Sequence, residues 1–294
     1  MSNTPAPTPT PPETTAKAHV LTREEVLATL VQPLHAQSVF LSAGPRIIDT
    51  AGPLRIPYAP TYRGDLPMTG EGEKIPEMAA EYSQMQMLPS TMRSFKVIDR
   101  YTNELARQSF VDIGSVLRTR LVEKVAAEVD AQLLGDTGDG VTEPRGLGAY
   151  QGVQEVNVGG ALTIQSILDG EGALLAANAP TSGLTLFIRV SDYMRIRSTQ
   201  DPTRGGYVVV PDVQNGGLIV PLLGARVVVT DRIAKGTAYL VHMPSIVVAR
   251  DVNPAVTLLP ELYADYDEVG IRVVTRLDAA PVQPQAVVRF TGIA

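Results

Sequence analysis

Apolar residues recur three and four positions apart through Ile113, Val116, Leu117, Leu121, Val125, Val129 and Leu133, which predicts one long helix with a single apolar stripe. Arg118, Arg120, Glu123, Lys124, Glu128 and Asp130 fill much of its remaining surface. Asp112 suits the N-cap, and Gly135 suits a left-handed position after the last turn. At 1.5 Å per residue, about 23 residues span roughly 35 Å. An extended apolar segment beginning at Ser94 leads into this helix. The helix stops at Gly135-Asp136-Thr137-Gly138-Asp139-Gly140, after which the chain reads Glu143-Pro144-Arg145-Gly146-Leu147.

The flanking regions carry different patterns. Met1 to about Lys17 is almost entirely Pro, Thr, Ser, Ala and Asn, a composition that buries no core and predicts a disordered or polyproline-like tail. Thr22-Arg23-Glu24-Glu25 opens a short helix as a capping box, with Val26, Leu27, Leu30 and Val31 as its apolar face, and Pro33 ends it. Leu54 to Tyr58 and Tyr82 to Leu88 read as extended. The polar run between them holds Gly64, Pro67, Gly70 and Gly72, so the three pieces together predict a β-hairpin arm with a long tip. After Leu147, helices are expected over Leu162–Asn178 and Ser191–Thr199, the second capped by Ser191 or Asp192. Strands are expected at Leu184–Val190, Tyr207–Val210, Leu218–Val220, Ala225–Val229, Ala238–Val241, Ile246–Ala249, Val256–Leu259, Gly270–Leu277 and Ala286–Phe290. Helices and strands interleave without strict alternation, which favours an α+β fold over a doubly wound parallel sheet.

Composition narrows the function. Charged residues make up 19% of the 294, below the usual share of about 25%, a hint that other subunits cover part of the surface. A net charge of −6 and a pI near 5.2 argue against a primary nucleic-acid binder. The absence of cysteine removes disulfides, thiolate catalysis and zinc–thiolate sites. No apolar run approaches the ~18 residues of a spanning helix, and no secretory signal is visible, so a soluble, intracellularly made protein is expected.

Catalytic constellations are thin. His19, His35 and His242 have no i+3 or i+4 partner of metal-site type, and no Gly-x-Ser-x-Gly elbow occurs. The Gly135–Gly140 turn lacks the lysine of a phosphate loop, and its Asp136 and Asp139 lack the alternate spacing of a calcium loop. No catalytic, cofactor-binding or metal-binding residue is assigned. An enzyme built on the Asp136 and Asp139 pair stands as a rival hypothesis.

The order of these pieces resembles the major capsid proteins of tailed bacteriophages, the Hong Kong 97 fold. Glu73-Lys74-Ile75-Pro76-Glu77 resembles the descending limb of that family's extended loop, Val111–Gly135 its spine helix, and Gly138 to Leu147 the exit from it. Leu186-Phe187-Ile188 with Ser191 to Ile196 resembles the axial domain's strand and helix. Leu222 to Thr230 and Arg272 to Phe290 resemble its later strands. The resemblance implies a flexible N-terminal arm over 1–45, an extended loop over 46–98, a peripheral domain over 99–145 with strands 253–280, an axial domain over 146–252 and a returning strand over 281–294.

It also implies self-assembly as hexamers and pentamers into an icosahedral head around double-stranded DNA, in the virion, after assembly in the host cytoplasm and without a membrane. Arg63, Glu71, Glu73, Lys74, Glu77, Arg93 and Arg276 are the interface candidates. A separate scaffolding protein, a portal and a decoration protein are the implied partners, and no cofactor is. The chain has no long N-terminal scaffolding segment, so the scaffold is expected to be separate unless this is a mature form, against which Met1 argues. The family's prototype cross-links its subunits through a lysine, an asparagine and a glutamate. Here Lys74 sits near the lysine position, but Asp267 and Val274 stand at the other two, so a noncovalent shell is expected. An encapsulin-type nanocompartment shell around a cargo enzyme shares the fold and is the alternative.

Overall fold

The computed structural model describes residues 38–57, 61–62, 68–72, 80–81, 84–109, 112–199 and 224–294. The expected tail and the helix opening at Thr22 therefore lie outside the described residues, as do the strands expected at Tyr207–Val210 and Leu218–Val220.

Two sheets carry the molecule. The first has the order β1-β11-β12-β6, from Arg46–Asp49 (β1), Ile246–Leu259 (β11), Glu268–Pro281 (β12) and Phe95–Thr102 (β6). β1 runs parallel to β11 and the other pairs are antiparallel. The second has the order β7-β13-β10-β8-β9, from Gln154–Gly160 (β7), Val287–Ile293 (β13), Ala238–His242 (β10), Leu184–Ile188 (β8) and Arg226–Val229 (β9). Its two edge pairs are parallel and its central pairs antiparallel. One hairpin supplies two further two-stranded ribbons, Leu54–Pro57 (β2) with Gln84–Met87 (β5) and, farther out, Thr61–Tyr62 (β3) with Ala80–Glu81 (β4), neither hydrogen-bonded into these sheets. Among the described residues there are five α-helices: α1 Val39–Ser42, α2 Asn103–Gln108, α3 Ile113–Leu133, α4 Ile164–Ala176 and α5 Val190–Ser198. The α+β expectation is met.

Alternation along the strands explains how the layers join. Side chains of a strand point to opposite faces with a period of two. In β10, Tyr239 and Val241 enter one core, whereas Ala238 and Leu240 enter another. The first core lies against α3, whose Leu121, Val122, Val125, Ala126, Val129 and Leu133 meet Ile271, Val273 and Leu277 of β12. The second packs α4 and α5 against the other face of the five-stranded sheet through Ile167, Leu174, Tyr193 and Ile196. β8 and β10 are thus buried at every position, which accounts for their largely apolar sequences, whereas β13 sends Val287 to the first core and Val288 and Phe290 to the second and leaves Arg289 and Thr291 half-buried. A third core, with Met85, Met87, Leu88 and Met92, covers the opposite face of the four-stranded sheet at Val247, Ala249 and Ala280.

Several local expectations are corrected. Asp112 does cap α3, accepting from the Ser115 amide. Gly135, however, is not left-handed. Leu134 closes the helix, and the positive φ values fall at Gly138 (+97°) and Gly140 (+71°), because the chain reverses three residues after the first glycine. α5 begins at Val190 with no side-chain cap; Asp192 lies inside its first turn and is buried. The two strands expected at Ile246 and Val256 are one, β11, with register shifts between Arg250 and Ala255. A separate turn of helix, α2, capped by Thr102, intervenes between β6 and α3.

The largest correction is Asp130. Placed on the polar face by its type, it is fully buried. Its carboxylate accepts from Ser38 Oγ (2.6 Å), Val39 N (2.9 Å) and Phe40 N (3.1 Å), with Arg232 at 3.7 Å. The acid therefore satisfies first-turn amides of α1 that have no helical partner and holds the N-terminal side of the described chain to α3. Burial raises its pKa, opposed by these bonds and by Arg232. Asp130→Ala would orphan two buried amides at about 1–3 kcal/mol each. Denaturant unfolding of the unassembled variant is expected to show a loss of ~2–5 kcal/mol.

Candidate functional site

Residues 84–93 and the loop after α3 meet beside the four-stranded sheet. β5 alternates exposed Gln84 and Gln86 with buried Met85 and Met87, so its methionine face sits on the sheet. Its partner β2 pairs Leu54 with Met87 and Pro57 with Gln84. Where this hairpin joins the body, Leu88 takes φ +51°, an uncommon state for a branched side chain, and its amide donates to Asp278 Oδ2 at 3.2 Å. Arg276 donates to the Pro89 carbonyl at 2.6 Å and to Asp251 at 2.5 Å. Asp251 lies in the irregular stretch of β11, so one guanidinium ties the hairpin root to the bulge.

The loop after α3 is built from its own polar groups. Asp139 accepts from the amides of Val141 (2.8 Å), Thr142 (2.7 Å) and Glu143 (3.0 Å) and from the Thr142 hydroxyl (2.8 Å). These donors, the Glu143 amide foremost, hold its pKa well below the usual carboxylate range. Arg145 donates to the Asp139 carbonyl at 2.7 Å and lies over the Tyr150 ring. Gln132 of α3 donates to the Pro144 carbonyl at 2.7 Å. Asp136 pairs with Arg289 of β13 at 2.8 Å. The loop is strapped to the hairpin root by Thr91 Oγ1 donating to the Val141 carbonyl (2.7 Å), the Arg93 amide donating to the Thr142 carbonyl (2.9 Å), and an exposed Arg93–Glu143 pair at 3.4 Å. A cleft of about 290 Å³ remains among Met85, Gln86, Arg145, Tyr150, Gln151 and Asp278.

Nothing in this arrangement forms a reacting constellation. Asp136 and Asp139, the pair of the enzyme hypothesis, have separate structural partners. His242 bonds Ser245 at 2.7 Å, and burial lowers its pKa. His19 and His35 lie outside the described residues. Among the described residues, no group of three or more His, Asp or Glu could hold a metal ion, and no helix is long and apolar enough to cross a membrane.

A model of the phage capsid family matches residues 18–292. The chain belongs to the phage capsid family. Solved structures agree on the fold. The capsid of a native GTA particle is similar at 14% identity and a TM-score of 0.67, over 87% of this chain and 91% of that one. A structure from Mycobacterium phage Che8 is similar at 15% and 0.60, over 99% and 98%. A virus-like particle from Pyrococcus furiosus is similar at 14% and 0.57, over 91% and 98%. Comparison with curated proteins gives no match. The protein is thus a structural shell protein of the Hong Kong 97 fold, as its motif order implied.

For this capsid protein the interface candidates divide sharply. Arg63, Glu73, Lys74 and Glu77 lie outside the described residues. Glu71 is exposed in a turn with Gly72 (φ +84°). Arg93 is exposed but engages the loop after α3, and Arg276 is mostly buried in its bonds to Asp251 and Pro89. Asp267 accepts from Asn103 Nδ2 at 2.6 Å at the start of β12, and Val274 lies within that strand beside Lys96. Sequence reasoning missed Asp130 and Asp278. For Asp278 the available signal was a lone acid in an apolar run, Leu277-Asp278-Ala279-Ala280; Asp130, two residues from Glu128, carries no such mark.

Asp139→Ala removes the acceptor of three consecutive turn amides. Hydrogen exchange at Val141, Thr142 and Glu143 is expected to accelerate at least tenfold while exchange in α3 stays unchanged.

Proposed function

We propose that the chain assembles, through noncovalent contacts, as hexamers and pentamers of an icosahedral head that encloses double-stranded DNA. The observation that carries this reading is the hairpin. Its outer part, β3 with β4, is a two-stranded sheet of its own, and Met68 near the tip is fully exposed. An isolated two-stranded ribbon is marginal in water, so a second surface is needed to hold it. A copy of the same chain supplies that surface at every position of a closed shell, through heterologous contacts whose rotation closes into rings. The low charge content fits a surface largely covered by neighbours. Arg63, Glu71, Glu73, Lys74 and Glu77 are the side chains this reading assigns to the contact.

In the same reading, residues 46–98 form the extended loop, 99–145 and 253–280 the peripheral domain, and 146–252 with 281–294 the axial domain, while 1–45 serve as an arm. A separate scaffolding protein, a portal and a decoration protein are the further partners. Assembly takes place in the host cytoplasm, and the product resides in the virion. Mild overall acidity suits a wall that holds its nucleic acid without gripping it. The nanocompartment alternative differs in cargo, so co-purifying nucleic acid rather than a tagged enzyme is the discriminating result.

Deletion of residues 63–77 is expected to leave a cooperatively folded body and to prevent shells. Electron microscopy of the expressed proteins checks this: particles from the full chain, unassembled subunits from the deletion. Normal particles from the deletion would remove the hairpin from the assembly contact.

A further inference from the structure

The root of the hairpin holds a group that neither the fold nor the family membership explains. Asp278 is 3% exposed, three residues before the end of β12. Its Oδ2 accepts from the Leu88 amide, but its Oδ1 is buried without a hydrogen-bond partner among the described residues. The neighbours on its face are apolar: Met85, Met87, Leu88 and Met92 from the hairpin side, Val247 and Ala249 from β11, and Ala280 from its own strand. A carboxylate with one satisfied oxygen in such a place is costly in its charged form.

The charged and titratable groups around it are few. Arg145, across the cleft from the loop after α3, is the charged side chain that acts on it, and that guanidinium is bonded to the Asp139 carbonyl and stacked on Tyr150. Tyr150 uses its hydroxyl on the Ala279 carbonyl. Arg276, two residues along the same face, is taken by Asp251 and Pro89. Gln86 and Gln151 line the cleft and are neutral. The segment that Asp278 holds is itself under tension, since Leu88 has a positive φ.

We propose that Asp278 is a proton-sensitive latch for the hairpin: the seated root favours the neutral acid, and ionisation of the acid drives the root toward an open position in which Asp278 reaches water through the cleft. Desolvation pushes the Asp278 pKa up to about 6, against opposing contributions from the Leu88 and Ala279 amides and Arg145. The sign follows from linkage. The seated state has the higher pKa, so it binds the proton more tightly than the open state, where the value returns towards the ordinary 3.8. Seating is therefore strongest at low pH and weakens as pH rises through the seated value. Between pH 5 and pH 7 the opening equilibrium is expected to increase about tenfold. The latch resides within one subunit, so it operates in the free chain and does not depend on assembly.

Hydrogen exchange of the full chain, read on peptides covering residues 84–93 and corrected for the intrinsic pH dependence of exchange, tests this directly. The expected result is a protection factor at Leu88 about tenfold higher at pH 5 than at pH 7, with no such change in α3. Asp278→Asn keeps an acceptor for the Leu88 amide and removes the titration, so its profile is expected to be flat. Arg145→Gln removes the facing cation and is expected to move the wild-type profile to higher pH. A flat or inverted wild-type profile, or a tenfold change that survives in Asp278→Asn, would overturn the latch. If the Asn variant does not fold, an unmoved profile in Arg145→Gln overturns it instead.

Discussion

The core beneath the 21-residue helix α3 is shared by both sheets, and the placement of every projecting part follows from that sharing. Helix side chains from Leu121 to Leu133 pack on β12, while Tyr239 and Val241 of β10 and Phe187 of β8 reach the same core from the five-stranded sheet. Because side chains of β8, β10 and β12 meet in this one core, the two sheets cannot separate without exposing the apolar faces that each contributes to it. At ~25 cal/mol per Å² of apolar surface, that constraint outweighs any single ion pair in the molecule. The hairpin and the N-terminal segment then project from a body whose own geometry is fixed.

How these projections are fastened is a matter of polar chemistry in apolar surroundings. Asp130 takes the first amides of α1, and Asp278 takes the amide of Leu88 at the foot of β5. Both carboxyls have pKa values raised by burial. Asp139 is the contrast. It makes a similar set of bonds to turn amides, but on an exposed loop, so hydrogen bonding wins over desolvation and its pKa falls. The same residue type thus serves as a permanent turn cap in one place and as a group under electrostatic tension in two others.

Much of this was legible in the sequence because periodicity reports burial directly. The stripe from Ile113 to Leu133 located α3, and Asp112 located its start. The apolar runs at Leu184 and Ala238 marked strands covered on both faces. The hairpin was visible as two extended pieces around a polar tip. What escaped was set by partners distant in sequence. Asp130 is buried because residue 38 arrives 92 positions away, and Arg276 is an internal tie because Pro89 lies 187 positions away. Nothing in the sequence near either residue names those partners. β7, with its alternating intermediate and exposed positions, was too polar to register as a strand beside β13.

The first sheet joins early and late parts of the described chain. Its opening strand, β1, pairs with β11, and the ion pair that closes this register, Asp49 with Arg250, spans 201 positions. β6 likewise waits for β12. A ribosome must therefore deliver almost the whole polypeptide before the surface under the hairpin exists, since non-local pairing is closed only when the late strands emerge. The topology therefore sets an order in time: until the late strands are made, the early ones have no sheet to join.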